Sequence, residues 1–154
     1  MAAYVREAEQ EDILSILTLL RMFSKESPYS KYLSPRSVTG LIHYSRLNGC
    51  CLVAVNKEDE KIIGVMLGTI SINPWTDATR EMREMAWYVN PEFRGDSRAG
   101  IKLYKRYVEC SKGMIEDGTI VASHMTALTT SGESAERLVS RDFTKIETHY
   151  MMGG

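Results

Sequence analysis

The run Trp87-Tyr88-Val89-Asn90-Pro91-Glu92-Phe93-Arg94-Gly95-Asp96-Ser97-Arg98-Ala99-Gly100 constrains the fold more than any other part of the chain. An apolar strand ends at a proline, which has no amide hydrogen to carry a β-ladder further. A short loop of mostly small residues with two arginines follows, and an amphipathic helix begins at once. The first amides of a helix have no intrahelical acceptor, and the helix dipole puts partial positive charge at that end. With Arg94 and Arg98 beside it, such a turn suits a pyrophosphate. The sequence therefore predicts a strand, loop and helix that bind a nucleotide-like cofactor.

Hydrophobic periodicity places the remaining elements. Ala3 to Ala8 reads as a strand and Gln10 to Phe23 as a helix, with Ile13, Leu14, Ile16, Leu17, Leu20 and Phe23 at helical spacing. Ser34 as N-cap and Pro35 at the first helical position open a second helix that stops near Asn48-Gly49. Cys51 to Val55 and Ile62 to Ile72 form a hairpin across the polar turn Asn56 to Glu60. Met82 to Val89 is the strand entering the loop. The helix from about Ser97 to Ile115 carries Leu103, Tyr104, Tyr107 and Val108 on one face, which reads as core. Thr119 to Leu128 is a strand, Ser134 to Arg141 a short helix, and Phe143 to Met152 a final strand. No repeat or linker divides this order, so residues 1–154 are read as one domain. The central strand-helix-strand section requires a parallel pair with a right-handed crossover, and the hairpin an antiparallel one. The expected class is α/β, a mixed sheet with helices on both faces.

Charge narrows the function classes. The chain has 19 Lys and Arg against 20 Asp and Glu in 154 residues, so no basic surplus points to nucleic acid or an anionic membrane. Its longest apolar runs fall well short of the roughly 18 residues of a spanning helix. Neither a signal peptide nor a lipidation motif is visible. The three cysteines, Cys50, Cys51 and Cys110, lack metal-ligand spacing and read as reduced packing thiols of a cytoplasmic protein, with no metal site. The charge is nonetheless uneven. Arg94, Arg98, Lys102, Lys105 and Arg106 stand against Asp96 alone, while Glu7, Glu9, Glu11 and Asp12 crowd the start against Arg6. A basic anion site and an acidic region fit a polyphosphate cofactor with a cationic second substrate; two solvated helix faces give the same pattern.

The element order, together with Val89-Asn90-Pro91-x-x-Arg94-Gly95-x-Ser97-x-Ala99, resembles the GNAT superfamily of N-acyltransferases. That family's signature is Arg/Gln-x-x-Gly-x-Gly/Ala after a strand commonly ending Val-x-Pro. Arg94 and Ala99 fit it, and Ser97 replaces the first signature glycine. Ala135 to Phe143 is similar to the family's Ala-x-x-Leu-Tyr-x-x-x-Gly-Phe segment, one residue shorter, and the loop also looks like small GNAT proteins encoded by bacteriophages. The resemblance implies a central mixed sheet of six to seven strands and an acetyl-CoA or other acyl-CoA cofactor. Its pyrophosphate would sit on the backbone of Arg94, Gly95, Asp96, Ser97, Arg98, Ala99 and Gly100, and its pantetheine on the exposed strand near Trp87 and Val89. The location implied is cytoplasmic (the host cytoplasm for a phage-encoded member). Two departures stand out. Leu138 and Val139 occupy the positions of the family's last-helix tyrosine, the general acid, and Asp142 replaces its glycine. The chain also has room for about one strand after Phe143, which leaves a sheet edge for a homodimer partner to cover.

Acyl transfer to an amine needs a proton acceptor and a place for oxyanion charge. Glu84, on the strand before the loop, and His124, on the strand after the helix, are the candidate bases. A solvent-facing Glu84 and a satisfied, half-buried His124 are their ordinary readings. Tyr29, Tyr32 and Trp75 with neighbouring carboxylates would line an acceptor pocket, since aromatic faces suit a cationic amine; loop packing is the plain alternative. The acceptor is thus a small-molecule amine or a peptide or protein amine. The competing function is a catalytically silent GNAT fold that serves as a binding or structural protein and still binds CoA.

Overall fold

Alternating apolar residues in the strands give the sheet two buried faces, and each face has its own helical cover. The computed structural model describes residues 2–28, 33–76, 78–128 and 132–153. Among them lie β1 (Ala3–Glu7), α1 (Ile13–Glu26), α2 (Pro35–Leu47), β2 (Gly49–Asn56), β3 (Ile62–Ile72), β4 (Arg80–Val89), α3 (Ala99–Glu116), β5 (Ala122–His124) and α4 (Gly132–Val139). The sheet order is β1-β2-β3-β4-β5, antiparallel except for the parallel pair β4–β5. This is the expected mixed α/β architecture.

β2 shows how the two cores divide. Cys50, Leu52 and Ala54 face the core beneath α3, while Cys51, Val53 and Val55 face the core beneath α1 and α2. α3 buries Leu103, Tyr104, Tyr107, Val108 and Ser111, at the spacing of one helical face. Its two tyrosines find partners for their hydroxyls, as buried phenols must. Tyr107 donates to the His124 carbonyl at 2.9 Å, and Tyr104 donates to Asp142 at 2.7 Å. Asp142, in place of the glycine, therefore ties the segment after α4 to α3. On the other face α2 starts as its sequence dictates, with the Ser34 hydroxyl accepting from the Ser37 amide and Pro35 at the first position.

The acidic start of the chain is in part structural. Buried Asp12 accepts from both guanidinium nitrogens of Arg6, at 2.6 and 3.1 Å, and from the Glu9 amide at 2.7 Å. Burial pushes its carboxyl up, and these hydrogen bonds outweigh that and hold it below its ordinary value.

Two strand expectations need correction. The described residues form five strands, not six to seven, and the strand expected over Thr119 to Leu128 is only Ala122–His124. The cause lies in β4. Leu67 pairs with Ala86 but Gly68 pairs with Glu84, so Met85 is an extra residue in the ladder. Such a bulge bends the strand and increases its twist. Pairing between β4 and β5 covers Glu81 to Arg83 against Ala122 to His124 and then stops. The final strand expected over Phe143 to Met152 does not form either. Phe143 packs against Tyr104 with ring centres 6.4 Å apart, but Ile146, Tyr150 and Met152 are exposed. A ladder needs an edge of comparable length to pair with, and three residues of β5 do not supply one.

Candidate functional site

The end of β4 is shaped by its own sequence. The Asn90 side-chain oxygen accepts from the Glu92 amide at 3.1 Å and starts a single 3-10 turn over Pro91–Phe93. Gly95 then turns at φ +88°, which glycine adopts without a Cβ clash. Arg98 holds φ +55° immediately before α3, a conformation costing a non-glycine residue about 1–3 kcal/mol. Buried Ser97 secures this loop. Its hydroxyl donates to the Phe93 carbonyl and accepts from the Ala99 amide at 3.2 Å, so it is turned inward. Those bonds also delay the helix, which begins at Ala99 and not at Ser97. The Lys102 amide is the first to bond back, to the Arg98 carbonyl at 3.0 Å. The Gly100 and Ile101 amides therefore have no intrahelical acceptor.

A cleft of about 590 Å³ opens at this helix end, walled by Trp87 to Val89, Arg94, Gly95, Arg98 to Ile101, Phe23 and Glu26 of α1, and Leu128 and Ala135, with Asp96 and Ser97 of the loop outside its lining. A Cβ at Gly100 would make only ordinary contacts, 3.7 Å from Val89 and 3.9 Å from Trp87. The Trp87 indole donates to the Gly100 carbonyl at 3.0 Å and so joins strand to helix. Backbone alternation exposes the strand to the cleft. The Asn90 amide donates to Ile63 of β3 at 2.8 Å, so the amides of Trp87 and Val89 point away from β3, toward the side β5 has left.

Arg94 is held differently from a free phosphate ligand. Its Nε donates to the Val89 carbonyl at 2.8 Å, its Nη2 lies 2.9 Å from Glu26, and its guanidinium stands 5.0 Å from the Tyr88 ring centre. The Arg94 hydrogen bond draws the Glu26 carboxyl below its ordinary value. Positive charge at the rim thus comes from exposed Arg98 and the helix end. Lys102, another cation of this helix, donates to the Ala3 carbonyl at 2.5 Å. Asp96 is exposed on the loop. Among the described residues no group of three or more His, Cys, Asp or Glu is placed to hold a metal ion.

No protein-family model and no curated protein matches the chain. Solved structures match along nearly its whole length. A ribosomal-protein-alanine N-acetyltransferase from Brucella melitensis biovar Abortus 2308 is 15% identical, covers 100% of both chains and has a TM-score of 0.67. A glucosamine-6-phosphate N-acetyltransferase from Arabidopsis thaliana is 14% identical, covers 100% of this chain and 99% of its own, and has a TM-score of 0.69. A transcriptional regulator from Bacillus halodurans C-125 is 18% identical, covers 99% of both and has a TM-score of 0.69. The fold is that of the GNAT acetyltransferases. At these identities the likeness speaks for the fold alone.

Within this GNAT fold the two candidate bases diverge. Glu84 shares the α3 face with Met82, and its charge is felt at Tyr107. Burial pushes its carboxyl from the ordinary 4.5 up to about 8, opposed by a hydrogen bond with the Thr126 backbone. His124 turns to the other face, where its Nε2 lies 3.1 Å from Glu81, three residues before Glu84 on the same strand. Neither base lines the cleft. Trp75 is 93% exposed on the β3–β4 loop and does not line it either. Tyr29 and Tyr32 lie outside the described residues. Sequence reasoning did not single out Glu26 or Phe23 as cleft residues. One signal for Glu26 was available: a carboxylate in the last turn of a helix opposes the dipole and asks for a cation.

Proposed function

We propose that the protein is an N-acyltransferase that moves an acetyl group from acetyl-CoA, or another acyl-CoA, directly to a primary amine. The observation that carries this reading is the cleft, where open helix-end amides, the Arg98 charge and the strand amides of Trp87 and Val89, turned away from β3, lie along one groove of an acetyltransferase fold. Acetyl-CoA, when bound, supplies an activated acyl carbonyl. The backbone from Arg94 to Gly100 holds the diphosphate, and the Trp87 and Val89 amides hold the pantetheine arm. The Val89 amide also meets the oxyanion charge. Arg94 acts through its main chain while its side chain braces Val89 and Glu26. Glu84, poised near neutral pH, takes the amine proton directly or through water; His124 is the second candidate. Tyr29, Tyr32 and Trp75 serve the acceptor side, a small-molecule, peptide or protein amine. No helix among the described residues is long and apolar enough to cross a membrane, and we place the reaction in the cytoplasm.

Thermal melting tests the cofactor. Acetyl-CoA at 100 times its dissociation constant is expected to add about 2.7 kcal/mol of stability, and Arg94→Ala and Gly95→Glu are expected to lose that gain. A wild-type protein that melts at the same temperature with and without acetyl-CoA removes the enzyme reading.

One observation favours a silent, CoA-binding relative. Leu138 and Val139 pack against the α3-side core where the acid tyrosine is expected, and Glu84 and His124 face opposite ways. A melting shift without CoA thiol release over a broad panel of amines selects this second reading. For assembly we propose a homodimer that covers the short β5 edge with the apolar tail around Ile146, Tyr150 and Met152. Sedimentation is expected to give a dimer that becomes monomeric when the chain is cut after Phe143. A monomeric full-length chain refutes it.

A further inference from the structure

Glu26 stands where electrostatics disfavour it. It is the last residue of α1, at the negative end of the helix dipole, and it lines the cleft read above as a diphosphate site. A carboxylate there repels such a ligand unless a cation neutralises it. The Arg94 guanidinium does so across the cleft. Its Nη2 donates to Glu26 Oε2 at 2.9 Å and its Nη1 to Oε1 at 3.4 Å. Two further contacts fix the same group. Its Nε donates to the Val89 carbonyl at 2.8 Å, and its central carbon lies 5.0 Å from the centre of the Tyr88 ring. Phe23, one helical turn before Glu26, meets that ring edge-on with centroids 5.6 Å apart. The peptide unit between Val89 and Asn90 is therefore held at both ends, its N–H by Ile63 of β3 and its carbonyl by Arg94. That unit is where β4 gives way to the loop.

We propose that Glu26 is a positioning residue for the cofactor loop: its carboxylate fixes Arg94 across the cleft, and Arg94 fixes the strand end at Val89 along which the acyl-CoA lies. The role rests on the acyl-CoA reading of the cleft. A guanidinium anchored to a carboxylate, a carbonyl and a ring face does not swing into the groove, so the groove stays open and the strand end keeps its direction. Ordering the loop before the ligand arrives removes that ordering cost from binding. Both side chains of the pair are 46% exposed, and an ion pair so open to water contributes little to folding. The effect of Glu26 therefore falls on ligand affinity, and it reaches the loop from a helix 68 residues earlier in the chain.

Calorimetric titration with CoA, together with proton–nitrogen NMR of the Arg94 Nε–H group, tests the role. In Glu26→Ala the affinity for CoA is expected to fall about tenfold, the scale of one charge-assisted hydrogen bond. Glu26→Gln keeps an acceptor oxygen for Arg94 and is expected to recover most of that loss. Without CoA both variants are expected to melt within about 2 °C of wild type. In an Arg94→Ala background, Glu26→Ala is expected to cost no further affinity, because the pair acts as a unit. The Arg94 Nε–H signal is expected to exchange slowly in wild type and in Glu26→Gln, and to broaden in Glu26→Ala. Equal or tighter CoA binding by Glu26→Ala overturns the role and marks a carboxylate that only repels the ligand. A wild-type Nε–H that exchanges as fast as that of free arginine overturns it too. Wild-type protein that takes up no CoA while keeping the slow Nε–H removes the acyl-CoA reading, and the positioning role with it.

Discussion

Glu84→Gln is expected to stabilise the protein at pH 9 by on the order of 3–5 kcal/mol relative to wild type, and to leave it nearly unchanged at pH 4. The sign follows from burial. The Glu84 carboxyl rises from 4.5 to about 8 on folding, so between those values the native state binds the extra proton. Stability then falls as pH climbs through that window and levels off above it. Glutamine matches the neutral acid and has no charge to desolvate. Urea unfolding of both proteins across pH 4 to 9 measures the difference, and parallel curves would show that the carboxyl is well solvated. Turnover separates a base from a buried strut. As a base, Glu84 makes wild-type turnover rise with pH toward about 8, and the glutamine variant is slow at every pH while still binding acetyl-CoA. Equal turnover in the two proteins removes Glu84 from the mechanism.

Gly49→Ala is expected to cost about 3 kcal/mol of unfolding free energy. A Cβ at this position would lie 2.0 Å from the Gly68 carbonyl oxygen and 3.1 Å from the Thr69 Cα. Both are backbone atoms of the neighbouring strand, so no rotamer change makes room, and the β2–β3 ladder must open at that end. Gly40→Ala is the control, since a Cβ there meets nothing within 4 Å and the position is an exposed turn of α2. Chemical denaturation of the two variants, side by side, decides the matter. A Gly49→Ala protein as stable as its control would mean that the strands are farther apart than described.

Much of the architecture was legible because it depends on local chemistry. Ser34-Pro35 starts α2 wherever it is placed, and Asn90-Pro91 ends β4 because a proline cannot donate. The apolar stripe of α3 announced the buried Leu103, Tyr104 and Tyr107. The loop from Arg94 to Gly100 likewise announced the strand end and the helix start on either side of it. Side-chain direction within that loop was not legible. Ser97 turns inward because Phe93 offers a carbonyl there, and Arg94 folds back because Glu26, 68 residues earlier, lies across the cleft. The strand count failed for a similar reason. Thr119 to Leu128 and Phe143 to Met152 have strand-like patterns, but a strand persists only beside a partner edge, and the Met85 bulge takes that edge away after three residues.

The amino-acid order by itself determined the helices and the first four strands, where the main breaks fall, and that a helix end with open amides follows an apolar strand. These depend on each residue's own torsions, hydrogen-bonding groups and period. Only the tertiary structure decided that Glu84 and His124 face opposite sides of one sheet, that Arg94 is neutralised by Glu26, and that Cys50 rather than Cys51 faces the core of Cys110. Those outcomes rest on strand register and on contacts between elements far apart in the chain, and moving a register by one residue would reverse every one of the facings.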